Sequence, residues 1–440
     1  MQAAAILERP WRAPEAVLSG FADDPWTCAF LSGGDGPNAR WSYLLREPVA
    51  TLTLAADDVR DPFHLIRGLL GQVAPTHPDG PPFQGGLAGL AAYELGDRIE
   101  SLGLARHPEW PDLLVGRYER LLAFDHARRR VLAVGRSPAQ AARAAGWLDG
   151  LEQPGHEGRL AQAVDASPAE PYEAAVADVV ARIHAGEYFQ ANIARLWTGR
   201  LASGATPFDL ARRLAGQSAA PFAGYLRTPG RALVSNSPER FVSVGAGRAL
   251  TVETRPIKGT RPRGSTPERD QALAAELLAS EKDRAENLMI VDLMRNDLSR
   301  VCTPGKVTTP ELFRVESFAN VHHLVSTVRG VLAPGMSAAD LLEAAFPPGS
   351  VTGAPKVQAM TSIARLEPPR GPYCGALFWA GFDGAFDSNV LIRTVGLVEE
   401  NEGWRFEARA GAGIVADSDP RAERLETEAK IAALLRALTE

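Results

Sequence analysis

The chain predicts an α+β fold in which helices cover β-sheets, on three observations. Short β-type runs cluster in both halves of the sequence. Long segments with apolar residues at helical spacing and clear start signals stand between those clusters. About 45% of the 440 residues are apolar, enough for a sizeable core, so the length implies two domains or one large composite core. No internal repeat is visible.

Taken in order, residues 1 to about 148 mix runs such as "VATLTLA" (49–55) and "RVLAVG" (130–135) with Gly/Pro loops, and "ARRR" (127–130) reads as a turn between strands. The glycines of "PPFQGGLAGLAAYELGD" (81–97) suit close backbone packing, since no strand–turn–helix unit with a distal acid surrounds them. A polar Gly/Pro-rich stretch at 148–171 is the expected linker, giving an N-terminal domain at 1–160 and a second at 161–440. Helical spacing follows in "PYEAAVADVVARIHAGEYFQANIARL", ending near Gly186. Strands are expected in "ALVSNSP", in "RFVSVGAGRALTVETRPI" with a turn at "GAGR", and in "NVHHLVSTVRGVL", "GALFWAGFDG" and "NVLIRTVGLV". Residues 266–297 read as one strong helix, with Thr266 as cap and Pro267 at its first position; Asp419 and Pro420 open the last helix, 419–440, in the same way.

With 47 basic against 53 acidic residues, the chain lacks the basic footprint of a nucleic-acid binder. Its N-terminus has no basic region followed by an apolar run, and no uncharged stretch approaches bilayer length, so neither a signal peptide nor a membrane span is expected. Cys28, Cys302 and Cys374 show no metal-type spacing and read as buried free thiols in a reducing, cytoplasmic setting.

Three groups of residues invite chemistry. Glu286 sits among apolar neighbours mid-helix, while Glu423 and Glu426 share a face of the last helix with Lys430 four residues beyond. A solvated face with an i,i+4 ion pair explains that spacing as well as a magnesium site does, and the choice depends on whether the two helices meet. For anions, "PPGSVTGAPKVQAM" (347–360) leads into a helix near Pro355 and leaves N–H groups near Thr352, Gly353 and Ala354 at a positive helix end. "ARAGAGIVADSD" places Gly411 and Gly413 after a strand, where their amides can approach a ligand, and Arg393 lies in an apolar strand where a guanidinium calls for an anion. Glycines usually serve turns, so each element alone is weak. The third group is "TRPIKGTRPRG" (254–264), which sets Lys258 in a stiff loop between Pro256 and Pro262, with three arginines whose positive potential favours a neutral amine. Lys258 as a mere contact to a carboxylate is equally compatible with these residues.

"SNSPERF", "TRPIKGTRPRG", "KDRAENLMIVDLMRNDLSRV", "HHLVS", "FPPGSVTGAPKVQAM", "IRT", "AGAGIVADS" and "ERLETEAK" occur in the order found in the chorismate-binding enzymes, which the chain resembles densely over 235–430. "PFQGGLAGLAAYELGDRIESL" extends the likeness into the N-terminal region. The resemblance implies a fold of two β-sheets packed face to face with helices outside, as in anthranilate synthase component I. The anthranilate-forming branch carries alanine in the loop where this chain has Lys258, so "PIKGT" resembles the branch that aminates chorismate at C4.

Matched position by position, the resemblance implies Mg²⁺ on Glu286 and Glu426 with Glu423 beside it, and Lys430 facing the metal. Gly259, Thr260, Thr352 and Gly353 would line the ring, and Arg393 with Gly411 and Gly413 would receive the enolpyruvyl carboxylate. Glu239 becomes the general acid/base and His323 the site histidine, although a satisfied strand histidine is the plainer reading of the latter. Lys258 would attack C2 as Glu239 protonates the leaving oxygen, and ammonia would then add at C4 and expel the lysine. No glutaminase segment is present, so ammonia would come from a separate glutamine amidotransferase subunit. Two departures stand out. Phe378-Trp379 replaces the Gly-Tyr of many relatives, and "YLLREP" (43–48) is unlike the family's tryptophan-feedback motif. A silent chorismate- or tryptophan-binding subunit is the alternative outside enzymes, and it fits poorly with so complete a set of reactive residues.

Overall fold

The computed structural model describes residues 3–33, 36, 38–247, 249–318, 321–401 and 403–440; Arg248 of the expected "GAGR" turn and Asn320 at an expected strand start lie outside them. Two antiparallel sheets, of 12 and 10 strands, make up its frame. The first runs, in spatial order, from Ala5–Pro10 through Arg130–Gly135, Arg120–Asp125, Trp41–Leu45, Thr27–Leu31, Phe222–Thr228, Arg231–Ser237, Thr394–Glu400, Gly403–Ile414 and Gln190–Arg200 to Gly353–Ala354. The second runs from Ile257–Pro262 through Val321–Val331, Thr251–Thr254, Arg240–Val244, Phe386–Asn389, Ala376–Gly381, Gly86–Ala91 and Leu113–Tyr118 to Ala50–Leu54. Strands that precede residue 160 therefore extend both sheets.

Side chains alternate between faces along each strand, and that period places the sheets. Leu377 and Trp379 join Tyr43, Leu45, Leu226 and Leu233 in one buried cluster, so the two sheets pack face to face. Their neighbours Ala376, Phe378 and Ala380 point the other way, toward residues of the helices Pro62–Leu70, Glu281–Ser299 and Ala338–Ala345. The outer face of the first sheet is covered by Pro138–Ala145, Pro207–Ser218 and Pro420–Thr439. Strands buried on both faces lose the polar alternation, which is why "GLAGLA" and "ALFWAG" read as continuous apolar runs. A Cβ on Gly86 would lie 1.9 Å from the Ala380 carbonyl oxygen, so close backbone approach accounts for that glycine. Trp379 stacks on Phe83 at 4.7 Å and meets Tyr43 edge-on at 6.1 Å.

The expected single helix over 266–297 is two, Pro267–Ala279 and Glu281–Ser299. Ser280 separates them: its extended ψ of 108° ends the first, and its hydroxyl accepts the Asp283 N–H to cap the second. Thr266 and Asp419 cap their helices as their positions predict. Among the described residues, no helix is long and apolar enough to cross a membrane.

Candidate active site

Lys258 lies in a strand, Ile257–Pro262, not in a loop. Ile257 pairs with Val325 and Thr260 with His323, three steps against two, so one extra residue forms a bulge at Lys258–Gly259. Gly259 supplies the left-handed turn (φ 79°), and a Cβ there would sit 2.9 Å from atoms of Asp283 and Leu277. The bulge re-aims Lys258 inward, where its Nζ donates to the Ser350 carbonyl at 3.3 Å. Burial foremost pushes the amine below its ordinary range; the Lys430 charge adds to this, and Glu286, Glu239 and Glu426 oppose it. The nearby arginines contribute less than their number suggests. Arg255 pairs with Glu316, Arg261 with Glu276 and Asp283, and Arg263 with Asp270, so the depression comes from desolvation.

Glu239 follows the strand Arg231–Ser237 and is buried. Its carboxylate accepts the Ser350 hydroxyl at 2.9 Å, so one residue, Ser350, touches both Glu239 and Lys258. Burial pushes the Glu239 carboxyl up to about 7 against Ser350, Lys258, Lys430 and Arg393, which all favour its ionised form. Arg393 is not inside a strand: it sits at φ 50° in the bend between Phe386–Asn389 and Thr394–Glu400, exposed, and it makes no ion pair among the described residues. His323 lies in Val321–Val331, its Nδ1 2.9 Å from the Thr260 hydroxyl. Burial and then the Arg393 charge lower its pKa to about 4, which makes it a neutral ring at physiological pH.

The charges on the two glutamate-bearing helices reach one another. Burial raises the carboxyls of Glu286 and Glu423, and Glu423 adds to the rise at Glu286 as Glu426 does at Glu423. Glu423 accepts the Ser418 hydroxyl at 2.6 Å, and Lys430 pairs with Glu426 at 2.6 Å, so the i,i+4 ion pair of the plainer reading is present. Among the described residues, no three acidic, histidine or cysteine side chains stand close enough to form a preassembled metal cage. Glu286, Glu423 and Glu426 offer oxygen donors only, the donor type that a hard divalent cation takes together with water or substrate oxygens.

Gly411 and Gly413 lie within the strand Gly403–Ile414, not after it. Opposite them, Ala194 and Asn192 give their N–H groups to Glu367 and Thr352, so these are positions without ladder bonds to Gln190–Arg200. On the other side, pairing with Thr394–Glu400 stops at Ala408. The Gly411 and Gly413 amides thus point off a free edge, from which Lys430 Nζ takes the Gly411 carbonyl at 2.9 Å. A Cβ on Gly413 would lie 3.3 Å from Lys258 Nζ, so that edge borders the amine. Thr352 and Gly353 are more committed than expected. Thr352 is fully buried, its N–H donating to Gly349 and its hydroxyl to Pro348, and Gly353–Ala354 pair as a short strand with Gln190 and Ala191. Phe378 is wholly buried under the second sheet and Trp379 lies between the sheets, so neither supplies a hydroxyl.

Ser350, Gln190 and Asn192 were not singled out from the sequence. Gln190 and Asn192 are buried, with amide atoms that find no partner among the described residues, beside Gly413 and Gly411. Their signal is present: in "QANIARL" two polar residues recur at period two at the start of a buried strand.

Comparison with known proteins gives the family and the fold. A sequence profile described as chorismate binding enzyme matches residues 28–436. The chain is 39% identical over 458 residues to aminodeoxychorismate synthase component 1 of Salmonella typhimurium, covering 98% of each. It is also 39% identical to anthranilate synthase component 1 of Thermus thermophilus, over 92% of this chain and 88% of that one. The crystal structure of anthranilate synthase component I from Streptococcus pneumoniae TIGR4 superposes with a TM-score of 0.78 at 30% identity, covering 92% and 94% of the two chains.

Proposed function

The chain belongs to the chorismate-binding enzymes, and from that membership we propose that it is the component of an aminodeoxychorismate synthase that turns chorismate and ammonia into 4-amino-4-deoxychorismate. Percent identity does not separate the aminating from the anthranilate-forming relatives, but coverage favours the former. The observation that carries the reading is the Lys258 amine, desolvated on a bulge, held at Ser350 and next to Glu239.

Hydroxide is a poor leaving group, so its loss from C4 requires an acid. Glu239, with a pKa of about 7, retains a proton near neutrality and can deliver it to the departing oxygen. The neutral Lys258 amine adds at C2, the ring double bonds shift, and the C4–O bond breaks with release of water. Ammonia then forms the C4–N bond, the double bonds shift back, and the C2–N bond breaks to return the lysine. Arg393 and the free-edge amides of Gly411 and Gly413 offer donors for the enolpyruvyl carboxylate, and Thr260 orients the neutral His323 against the ring. Glu286, Glu423 and Glu426 would hold Mg²⁺; bound there, it supplies charge that neutralises the ring carboxylate. The name "component 1" among its relatives implies a further component, and in this reading that partner is a separate glutamine amidotransferase supplying ammonia.

Mass spectrometry of the product formed with Mg²⁺ and ammonium salts tests the reading. 4-Amino-4-deoxychorismate is expected; anthranilate would assign the chain to the other branch. Glutamine should support turnover only after a second polypeptide is added, and Glu286→Gln or Glu426→Gln should abolish Mg²⁺-dependent turnover while leaving the fold intact.

A further inference from the structure

Beside the Gly349–Val351 turn, four charged side chains are buried together: Glu94, Glu367, Arg370 and Arg409. The Arg370 guanidinium, 2% exposed, donates from all three of its nitrogens. Its Nε and Nη2 donate to the two Glu367 oxygens at 3.1 and 3.0 Å, Nη1 to the Val351 carbonyl at 3.2 Å, and Nη2 to the Asn192 carbonyl at 2.6 Å. Its plane lies over the Tyr93 ring, 4.7 Å from the centroid. Glu367 also accepts the Ala194 N–H at 2.7 Å, and Glu94 accepts the Arg370 and Gly371 N–H groups at 2.5 and 2.9 Å. Buried ion pairs contribute little net stability compared with apolar packing of the same volume, so stability is a weak reason for this arrangement.

The carbonyls that Arg370 takes belong to the elements that build the site. Val351 follows Ser350, whose carbonyl receives Lys258 and whose hydroxyl holds Glu239. Asn192 stands opposite Gly413 on the strand beside the free amide edge. We propose that the Glu367–Arg370 pair is a positioning device for amination: it clamps the Gly349–Val351 turn to strand Gln190–Arg200 and, through Ser350, keeps Glu239 and Lys258 in register with each other. Only a planar fork reaches two carbonyls and a carboxylate at once, so lysine is no substitute. This role rests on the proposed amination.

Arg370→Lys keeps the charge opposite Glu367 and loses the fork. The expected result is a fall in kcat of about tenfold to a hundredfold from misplacement, with the KM for chorismate changed far less. Because the Ser350 hydroxyl favours ionised Glu239, releasing it also moves the pH limit of activity set by Glu239 upward; Lys258, Lys430 and Arg393 face the same carboxyl, and Lys258, which donates to the Ser350 carbonyl, shifts it in the same direction when displaced. Ser350→Ala should produce the same upward displacement, and Arg370→Lys should add little in that background, a non-additivity that a purely structural role does not give. If Arg370→Lys fails to fold, Glu94→Gln loosens the same backbone with an isosteric neutral group, suited to a carboxyl that burial already pushes up, and is read in the same cycle. An unmoved pH limit, or additive losses with Ser350→Ala, overturns the positioning role. If wild-type enzyme makes anthranilate instead, the reaction assignment falls while the same cycle, read on that product, still tests the clamp.

Discussion

Lys258 and Glu239 are driven toward neutrality by the same cause, burial, acting with opposite sign on a base and an acid. A neutral amine beside a protonated carboxyl is a nucleophile paired with an acid, and that pairing has two measurable consequences. Intact-mass analysis with chorismate and no ammonia should reveal a covalent adduct that Lys258→Ala lacks; near-normal C4 amination by the alanine variant would reduce Lys258 to an electrostatic contact. The second consequence is a stability profile. Glu239 in the folded chain titrates at about 7, above its ordinary 4.5. Below 4.5 the folded and unfolded chains are both protonated there and nothing is lost. Between 4.5 and about 7 the unfolded chain sheds its proton first, so stability falls as pH rises, by about 3 kcal/mol in all. His323 works the other way, with a folded pKa of about 4 against 6.5, so its loss comes as pH falls through that window. Glu239→Gln should therefore be inactive yet melt at a higher temperature than wild type at pH 8, with the difference vanishing near pH 4. An equal difference at both values would mean that the carboxyl is not held protonated.

At the scale of the element, the bulge is what turns Lys258 inward, because without the extra residue the strand alternation would present a different face. Gly259→Val places a β-branched side chain at φ 79° and against Asp283 and Leu277. A loss of about 1–3 kcal/mol is expected from the backbone strain alone, with a fall in kcat beyond the fraction unfolded; wild-type melting and turnover would show that the bulge is not what holds the amine. Helix starts at Thr266 and Asp419 were legible because a cap is a local signal. The break at Ser280 was equally local, as Ser280-x-x-Asp283 has the form of a capping box, but continuous helix propensity on either side hid it. The bulge and the Arg393 bend were not legible. Register depends on a partner strand some sixty residues away, and in "NVLIRTVGLV" the left-handed position is an arginine, with neither Gly nor Pro beside it to mark the bend.

The whole molecule brings the site together from both sheets and from helices outside them, so no local pattern could have assembled it. Glu239 lies between a strand of each sheet, Lys258 comes from an edge of the second, Gly411 and Gly413 from the first, and the carboxylates from two covering helices. Only the order of family-like motifs joined these residues in advance, and Ser350, whose partners lie 92 and 111 residues away, stayed hidden within one of them. The same interleaving governs stability. Tyr43, Leu45, Phe83 and Leu90 precede residue 160, yet they pack in one cluster with Leu226, Leu233, Leu377 and Trp379 from the later segment. Removing one large buried aromatic costs about 3–5 kcal/mol, against a total stability of about 5–15 kcal/mol for a typical protein. Residues 161–440 alone would expose several such side chains together with the open edges left by the early strands. The intact chain is therefore expected to unfold in one transition, seen at the same denaturant concentration by far-UV circular dichroism and by tryptophan fluorescence. The 161–440 fragment should bind a hydrophobic dye and show no cooperative melt. Two separated transitions in the full chain, or a fragment that melts cooperatively and aminates chorismate, would instead establish a self-standing unit beyond residue 160.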